Sequence, residues 1–406
     1  MRCPFLWEHV ALVVVCVFVG CSNASSDESG RGSEQPGDSQ EPGATDAGDD
    51  LDDNTQDFVA ACSVVSPVDG FIGDPEYNPA AGSVTWQEFS GALWLASIDP
   101  LTGDIAPSTG KGVLLANDVA PLNRTFNAAE WGYSMSGDVI VYTSIGTNQT
   151  PQISVLTENA GIWTKQKLPG TDNYYNPRAS KTRTDEAPIV HFLDASSNIV
   201  WRDLTPSGVI TAIPNSTDGH WVDGVQALTY IDRTSRQVRY YDIATATSTE
   251  ITTDDGVKQR PYMWIAPDFN DKLVFFARVG NDLRVYVQTT GTSFEYLRTI
   301  TSPSTDYPVI ASPEPVVRDG VSYVSFMAST TVLETDNVPA EIWLVSVDAT
   351  VGFSRRLSQD AVEVRTDPEP YDGTGPMFTY YTRVEANGEE LTESSVLVSL
   401  RCAVGL

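Results

Sequence analysis

Residues 262–289 read YMWIAPDFNDKLVFFARVGNDLRVYVQT, and the pattern of this stretch decides the fold. Two runs rich in β-branched and aromatic side chains, Lys272 to Val279 and Leu283 to Thr289, stand on either side of a Gly-Asn-Asp turn. Such runs, separated by turn residues, predict paired strands. The chain repeats this kind of unit seven times between Asp74 and Asp372. A period of about 40 to 55 residues is typical of radial or stacked repeat architectures.

The repeats predict an all-β chain that forms a single β-propeller of seven four-stranded blades, with six blades as the alternative count. Each unit begins with a short turn that ends in a polar residue, and β-rich runs follow it. The last unit has only the runs Met377 to Val384 and Ser395 to Arg401. The N-terminal run Ala61 to Val65 supplies a further strand. We therefore expect the N-terminal strand to complete the last blade and to close the ring.

Two segments resemble the repeats of the TolB-type propeller superfamily, which combine a Pro-containing turn, an apolar strand, a Gly, Asp or Asn turn and a second strand. The first is YMWIAPD at 262–268 with KLVFF at 272–276, and the second is SMSGD at 134–138. The resemblance implies a propeller, and six blades are usual in that family. It covers most of the folded part but implies no particular chemistry, because one fold hosts many functions.

The N-terminus carries a basic residue, an apolar run from Val10 to Val19 and the quartet FVGC at 18–21. The quartet resembles a bacterial lipobox, which implies that residues 1–20 are a lipoprotein signal peptide and that Cys21 carries lipid, including palmitate. An ordinary secretory signal is the alternative. Ser22 resembles the residue that sorts lipoproteins to the outer membrane. We therefore expect an outer-membrane, lipid-anchored protein of the cell envelope, with the periplasmic or surface face left open.

Residues 21–57 predict a disordered acidic tether, and residues 58–406 the propeller domain. From Ser22 to Asp57 the chain has eleven acidic side chains against Arg31 and hardly any apolar ones, so it cannot bury enough surface to fold. The whole chain carries a formal net charge of −29. This charge disfavours binding to nucleic acid and to anionic lipid head groups, so we expect membrane contact only through the lipid anchor. We expect a monomer.

Cys62 and Cys402 are the two cysteines of the predicted folded part, and they lie near its two ends. In an oxidising compartment such a pair predicts a disulfide. Two buried free thiols are the alternative. The predicted disulfide and the predicted ring closure place the same two strands side by side.

Residues at the same phase of each repeat are expected to form a ring at the mouth of the central channel. Alignment of the seven turns places in this ring Glu76, Glu130, Arg178, His220, Met263, Glu314 and Glu369. Because blade seven neighbours blade one, the four glutamates are consecutive around the ring. Arg178 and His220 fall on the opposite arc.

Four carboxylates in a narrow mouth raise one another's pKa, so something must neutralise them. Ca²⁺ or Mg²⁺ bound by Glu76, Glu130, Glu314 and Glu369 is one alternative. A proton shared for acid–base chemistry is a second, with Asp74, Glu130 and Glu314 as the catalytic candidates. A bridge from the Arg178 arc is a third. In the fourth, the glutamates only make hydrogen bonds that hold the blades together.

The aromatic residues near the ring allow two interpretations. Trp131, Trp221 and Trp264 follow the assigned ring positions of blades two, four and five. They predict either a stacking surface for a sugar or an aromatic ligand, or packing between blades. His220 is the better ligand candidate of the two histidines in the folded part, because His191 lies within a predicted strand.

Two classes of function fit these features. The first is a non-catalytic propeller whose mouth binds a glycan, a peptide or a partner protein. The second is a carbohydrate-active enzyme, a glycoside hydrolase or lyase, that uses the mouth carboxylates. Nucleotide chemistry is disfavoured, since the chain has no Gly-rich phosphate loop and no dinucleotide fingerprint.

Overall fold

The computed structural model describes residues 62–402, apart from gaps at 71, 79, 89, 100–104, 107–111, 122–125, 147, 184, 333–337, 359–363, 372–376 and 385–394. The predicted signal peptide and tether therefore lie outside the described residues. No helix in the described part of the chain is both long enough and apolar enough to cross a membrane.

The described residues form seven antiparallel sheets, six of four strands and one of five, and these sheets are the blades of a β-propeller. Blade one contains β2 (Ile72–Asn78), β3 (Ser83–Glu88), β4 (Leu93–Ile98), β5 (Ile105–Ala106) and β6 (Val113–Ala116). Blade two contains β7 (Glu130–Gly132), β8 (Val139–Ile145), β9 (Pro151–Asn159) and β10 (Ile162–Lys167). Blade three contains β11 (Tyr175–Ala179), β12 (Ile189–Leu193), β13 (Ile199–Asp203) and β14 (Thr211–Ile213). Blade four contains β15 (Ser216–Trp221), β16 (Ala227–Asp232), β17 (Val238–Asp242) and β18 (Thr247–Glu250). Blade five contains β19 (Lys258–Ala266), a 3₁₀ turn at Pro267–Phe269, β20 (Lys272–Val279), β21 (Asp282–Thr290) and β22 (Ser293–Ile300). Blade six contains β23 (Val309–Arg318), β24 (Val321–Ser329), β25 (Glu341–Ser346) and β26 (Ser354–Arg356). Blade seven contains β27 (Val364–Tyr371), β28 (Met377–Val384), β29 (Ser395–Cys402) and the N-terminal strand β1 (Cys62–Gly70).

The ring closes as the sequence predicts. β1 pairs with β29 as the outermost strand of blade seven, and the register sets the backbone of Cys62 directly opposite that of Cys402. The innermost strands of neighbouring blades contact one another, including β27 of blade seven and β2 of blade one. The disulfide itself stays a prediction, because the two cysteine side chains lie outside the described part of the structure.

The apolar core lies between neighbouring blades. One cluster joins Trp264 and Phe276 of blade five to Val324 and Phe326 of blade six, each at most 3 % exposed. Both faces of a blade pack against a neighbour, so the middle strands are buried almost continuously instead of on alternate positions. β24, for example, has eight buried residues out of nine. This packing explains the long β-branched and aromatic runs of the sequence.

The predicted turns are part of the innermost strands, which corrects the expectation that they precede those strands. In six innermost strands a bulge interrupts the pairing just before the ring position. The residue two positions before the ring residue has a positive φ in each of them: Asp74, Asn176, Asp218, Arg260, Ser312 and Asp367. In blade two the innermost strand begins at the ring residue Glu130 itself. A bulge changes the direction of the side chain that follows it, and here it determines which residue occupies the ring position.

Two of these bulge residues join adjacent blades. The Asp74 carboxylate of blade one accepts a hydrogen bond of 2.9 Å from the Ala128 backbone N–H of blade two. Asp218 of blade four accepts one of 2.5 Å from the Arg260 N–H of blade five. Asp tolerates the left-handed backbone because its short polar side chain bonds locally. Asp74, a predicted catalytic candidate, is thus engaged in joining two blades.

Asp74→Ala is expected to lower the free energy of unfolding by about 3 kcal/mol, which combines the left-handed backbone penalty with the loss of a charge-assisted hydrogen bond. Asp271→Ala is the matched control, because Asp271 has a φ of 57° and makes no side-chain hydrogen bond with the described residues. Its cost should be about 1 kcal/mol. Equal losses in the two variants, measured by denaturant unfolding, would show that the contact between blades adds no stability.

Candidate functional site at the axial mouth

The ring predicted from the repeat phase is present in six of the seven blades. Glu76, Arg178, His220, Glu314 and Glu369 each follow the bulge of their innermost strand. Glu130 opens the innermost strand of blade two and pairs with Val141 of β8. The glutamates of blades six, seven, one and two are neighbours around the ring, and we call Glu314, Glu369, Glu76 and Glu130 the carboxyl arc.

In blade five the ring residue is Tyr262, and the assignment of Met263 is wrong. The bulge of β19 falls between Gln259 and Tyr262, so Tyr262 occupies the position that Glu76 holds in blade one. Met263 is 2 % exposed and packs in the apolar core against Phe275. A shift of one residue moves a strand side chain to the opposite face.

Three members of the carboxyl arc hold their protons unusually strongly. Burial, followed by the Glu130 charge, raises the pKa of Glu76 well above its ordinary value. Burial and the charges of Glu76 and Glu314 do the same to the pKa of Glu369. Burial raises the pKa of Glu314 to about 7, although the Tyr262 hydroxyl donates a hydrogen bond of 2.7 Å to its Oε1. The arc is therefore harder to ionise than four solvated glutamates would be.

Lys181 faces the carboxyl arc, and the repeat alignment does not predict it. Its side chain is exposed to solvent, yet protein surrounds it, as expected for a side chain in an open channel. The surrounding protein lowers its pKa, but the charges of Glu76 and Glu130 outweigh this and raise the pKa well above the ordinary value. Lys181 lies in the loop after β11 and not at a ring position of the repeat. Its proximity to these glutamates therefore arises from the folding of the chain and not from the repeat pattern.

The described residues contain no group of three or more His, Cys, Asp and Glu side chains arranged to hold a metal ion. No such group is formed by the predicted Ca²⁺ or Mg²⁺ ligands Glu76, Glu130, Glu314 and Glu369. The positive charge of Lys181 offsets part of the negative charge of the arc.

Arg178, His220, Asp218 and Tyr262 form the opposite side of the ring, which we call the basic arc. Nη1 of Arg178 lies 2.5 Å from Nδ1 of His220. A guanidinium only donates, so this nitrogen of His220 must be an acceptor and the ring must be neutral. Burial, followed by the Arg178 charge, lowers the pKa of His220 to about 3. The Tyr262 ring packs against His220, with 3.8 Å between the ring centroids and an angle of 44° between the ring planes.

Asp218 orients the other edge of His220, since its Oδ1 lies 3.4 Å from Nε2. Burial raises the pKa of Asp218, but the hydrogen bonds from His220 and from the Arg260 backbone outweigh it and hold the pKa well below the ordinary range. Arg178 also reaches Glu130, with 3.7 Å between Nε and Oε1. The predicted bridge from the Arg178 arc is therefore present for one of the four glutamates.

The three tryptophans pack between blades. Trp131, Trp221 and Trp264 are 2 %, 8 % and 3 % exposed. The indole N–H of Trp221 donates 2.8 Å to the Arg178 carbonyl of blade three, and that of Trp264 donates 3.2 Å to Ser322 of blade six. In blade five the tryptophan lies two positions after the ring residue. Their burial favours the packing interpretation over the predicted ligand contact.

Comparison by sequence finds no similar protein, whereas comparison by structure finds proteins of similar fold. No family model and no curated protein matches the sequence. The β-propeller domain of Myceliophteria thermophila Cps50 (Swd1) is similar with a TM-score of 0.52 at 10 % identity, over 81 % of this chain and 96 % of that one. The dihydro-heme d1 dehydrogenase NirN in complex with DHE gives 0.48 at 13 % identity, over 81 % and 66 %.

A putative TolB from Agrobacterium tumefaciens gives a TM-score of 0.37 at 16 % identity, over 56 % of this chain and 81 % of that one. Membership of the TolB-type superfamily therefore stays a prediction. The similarity to the Swd1 domain concerns the fold alone, and it agrees with the strand topology. The chain is a β-propeller.

Proposed function

We propose that this chain is a lipid-anchored, extracytoplasmic propeller that binds a partner at its axial mouth without catalysis. The observation that carries the proposal is the carboxyl arc, where four glutamates converge and Lys181 faces them. Of the glycan, peptide and protein partners expected from the sequence, a peptide or protein segment that presents a basic group fits best.

The electrostatics of the arc support a basic ligand. Burial is the main cause of the raised pKa values of Glu76, Glu314 and Glu369, and neighbouring carboxylates raise those of Glu76 and Glu369 further. A lysine or arginine side chain, or a free amino terminus, would supply positive charge and let the arc release protons. Binding should therefore strengthen as the pH rises through the raised pKa values. A glycan would gain no such coupling, and the buried tryptophans leave it little stacking surface.

Isothermal titration of the purified protein with Lys-rich and Ser-Gly peptides, each N-acetylated and C-terminally amidated, tests this function. We expect the Lys-rich peptide alone to bind, at least tenfold more tightly at pH 8 than at pH 6, with proton release detectable as buffer-dependent heat. Glu369→Gln should weaken this binding, whereas Glu295→Gln, at an exposed carboxylate on β22, should not. Binding of a neutral oligosaccharide with no pH dependence, and none of the basic peptide, would refute the assignment.

A carbohydrate-active enzyme is the second candidate, and Glu314 is the observation that favours it. A carboxyl group with a pKa of about 7 is suited to act as a general acid at neutral pH. Asp74 does not fit as its partner, because its carboxylate is engaged with Ala128, which leaves Glu130. Hydrolysis of an oligosaccharide panel that is lost in Glu314→Gln with unchanged ligand affinity would establish catalysis in place of simple binding.

We also propose that Cys21 anchors the protein to the outer membrane, on the basis of the FVGC quartet, Ser22 and the acidic tether that follows. Multiple acyl chains on one cysteine hold a protein at a bilayer stably. Cys21→Ser should move the protein from the membrane pellet to the soluble fraction. Retention of the variant in the pellet would refute the lipid anchor.

A further inference from the structure

A cavity of about 410 Å³ opens beside the basic arc. It is lined by residues of blades two to five, and none of the carboxyl arc glutamates is among them. Its size falls within the range of small-ligand sites. The cavity therefore forms a second place at the mouth where a ligand can be held.

The cavity contains buried polar groups without partners. His191, which we predicted to be a strand residue, lines it and is 2 % exposed. No hydrogen bond of normal geometry reaches either ring nitrogen from the described part of the chain, although a weak contact with the Gly219 backbone acts to raise the pKa of His191. Oδ1 of Asn127, another lining residue, is also buried without a partner there. Since buried polar groups are normally paired, a ligand is the natural source of these missing bonds.

Two guanidinium groups at the cavity keep N–H donors that have no partner among the described residues, namely Nη2 of Arg178 and the side chain of Arg236. Arg178 uses Nη1 for His220 and directs Nε toward Glu130, and Nη2 has no partner among the described residues. Arg236 lies exposed at the rim without a side-chain hydrogen bond to those residues. Lys258 also lines the cavity, but the carbonyls of residues 254 to 256 occupy its ammonium group. This positive character is notable in a chain with a net charge of −29.

We propose that this cavity binds the C-terminal carboxylate of a peptide. Nη2 of Arg178 can donate a charge-assisted hydrogen bond to the carboxylate, and the planar guanidinium of Arg236 adds charge at the rim. Asn127 Oδ1 can accept the last peptide N–H, and His191 offers one donor and one acceptor. The apolar walls of Leu193 and Ile231 suit an aliphatic terminal side chain.

A carboxylate fits better than a phosphate dianion. Asp218 lines the same cavity as a carboxylate, so a ligand with two negative charges would be repelled more strongly than one with a single charge. The proposal extends the function given above, because both ligands enter at the same mouth. It depends on different residues, so either proposal can fail without the other.

The test uses the peptide acetyl-Gly-Gly-Leu with a free carboxylate and the same peptide as its C-terminal amide, each titrated into the full protein. Neither peptide has a basic group, so the carboxyl arc is not probed. We expect the free acid to bind at least tenfold more tightly than the amide. Arg178→Gln should lower its affinity about tenfold and Arg236→Gln several-fold.

Two controls separate local from global effects. Lys272→Gln removes an exposed cation and Glu295→Gln an exposed anion, and neither residue lines the cavity, so both variants should leave the affinity for the free acid unchanged. Arg236 lies at the surface, so Arg236→Gln remains informative if Arg178→Gln fails to fold. The proposal is overturned if the amide binds as tightly as the acid, if Arg236→Gln binds normally, or if inorganic phosphate binds as tightly as the peptide.

Discussion

Cys62→Ser is expected to lower the free energy of unfolding by about 4 to 5 kcal/mol under oxidising conditions, the chain-entropy value for a closed loop of several hundred residues. The backbones of Cys62 and Cys402 lie directly opposite each other on β1 and β29. Residues in that relation have Cα atoms about 4.5 to 5.5 Å apart, which suits a disulfide. The bond would fasten the outermost strand of blade seven and so hold the ring closed. Denaturant unfolding measures the loss.

The reduced wild-type protein is the matched control for this variant. With a reductant present, wild type and Cys62→Ser should unfold at the same denaturant concentration, because the difference between them is the bond. Cys402→Ser should behave like Cys62→Ser, and the double variant should be no less stable than either single one. Titration of two free thiols in the denatured, unreduced wild type would contradict the disulfide and favour the free-thiol alternative.

Glu314→Gln is expected to become more stable relative to wild type by about 2.5 kcal/mol as the pH rises from 5 to 8. Burial raises the pKa of Glu314 to about 7 from its ordinary value of 4.5. Between these values the folded protein keeps a proton that the unfolded chain has lost, so rising pH removes stability. Glutamine keeps the shape of the side chain without the charge, and its carbonyl can still accept the Tyr262 hydroxyl.

The difference between variant and wild type is the quantity to measure, because other groups titrate in the opposite sense. The pKa of His220 is lowered to about 3 from 6.5 by burial and by Arg178, so its contribution to stability increases as the pH rises from 3 to 6.5. Subtracting the two unfolding profiles removes this shared contribution. Glu295→Gln, at an exposed carboxylate, serves as the control. Parallel profiles for Glu314→Gln and wild type would show that the Glu314 carboxyl does not resist ionisation in the folded state.

Much of the site follows from repeat phase alone. Six ring residues were placed correctly because each blade uses the same bulged strand. The error in blade five came from aligning Trp264 with Trp131 and Trp221. The better marker was the residue pair before the ring position, where Arg260-Pro261 corresponds to Asp74-Pro75 and Asp367-Pro368.

Proline also explains why these segments resemble turns. A Pro removes a backbone donor and the residue before it avoids the helical region, so X-Pro suggests a turn in a sequence. Within sheets Pro is tolerated on edge strands and at bulges. The innermost strand of a blade is such an edge, and the positive φ of Asp74 and Asp367 marks the bulge. Local sequence alone does not distinguish a Pro in a turn from a Pro at a bulge in an edge strand.

The sequence by itself determined the all-β class, the seven-fold repeat, the closing strand and the identity of most ring residues, because strand alternation and repeat period depend on near neighbours along the chain. The tertiary structure alone decided the raised pKa values in the carboxyl arc, the position of Lys181 beside it and the cavity around His191 and Arg178. Those features depend on burial and on charges contributed by different blades. The electrostatic interaction of such groups depends on their separation in space and on local solvent exposure, which a linear pattern does not encode.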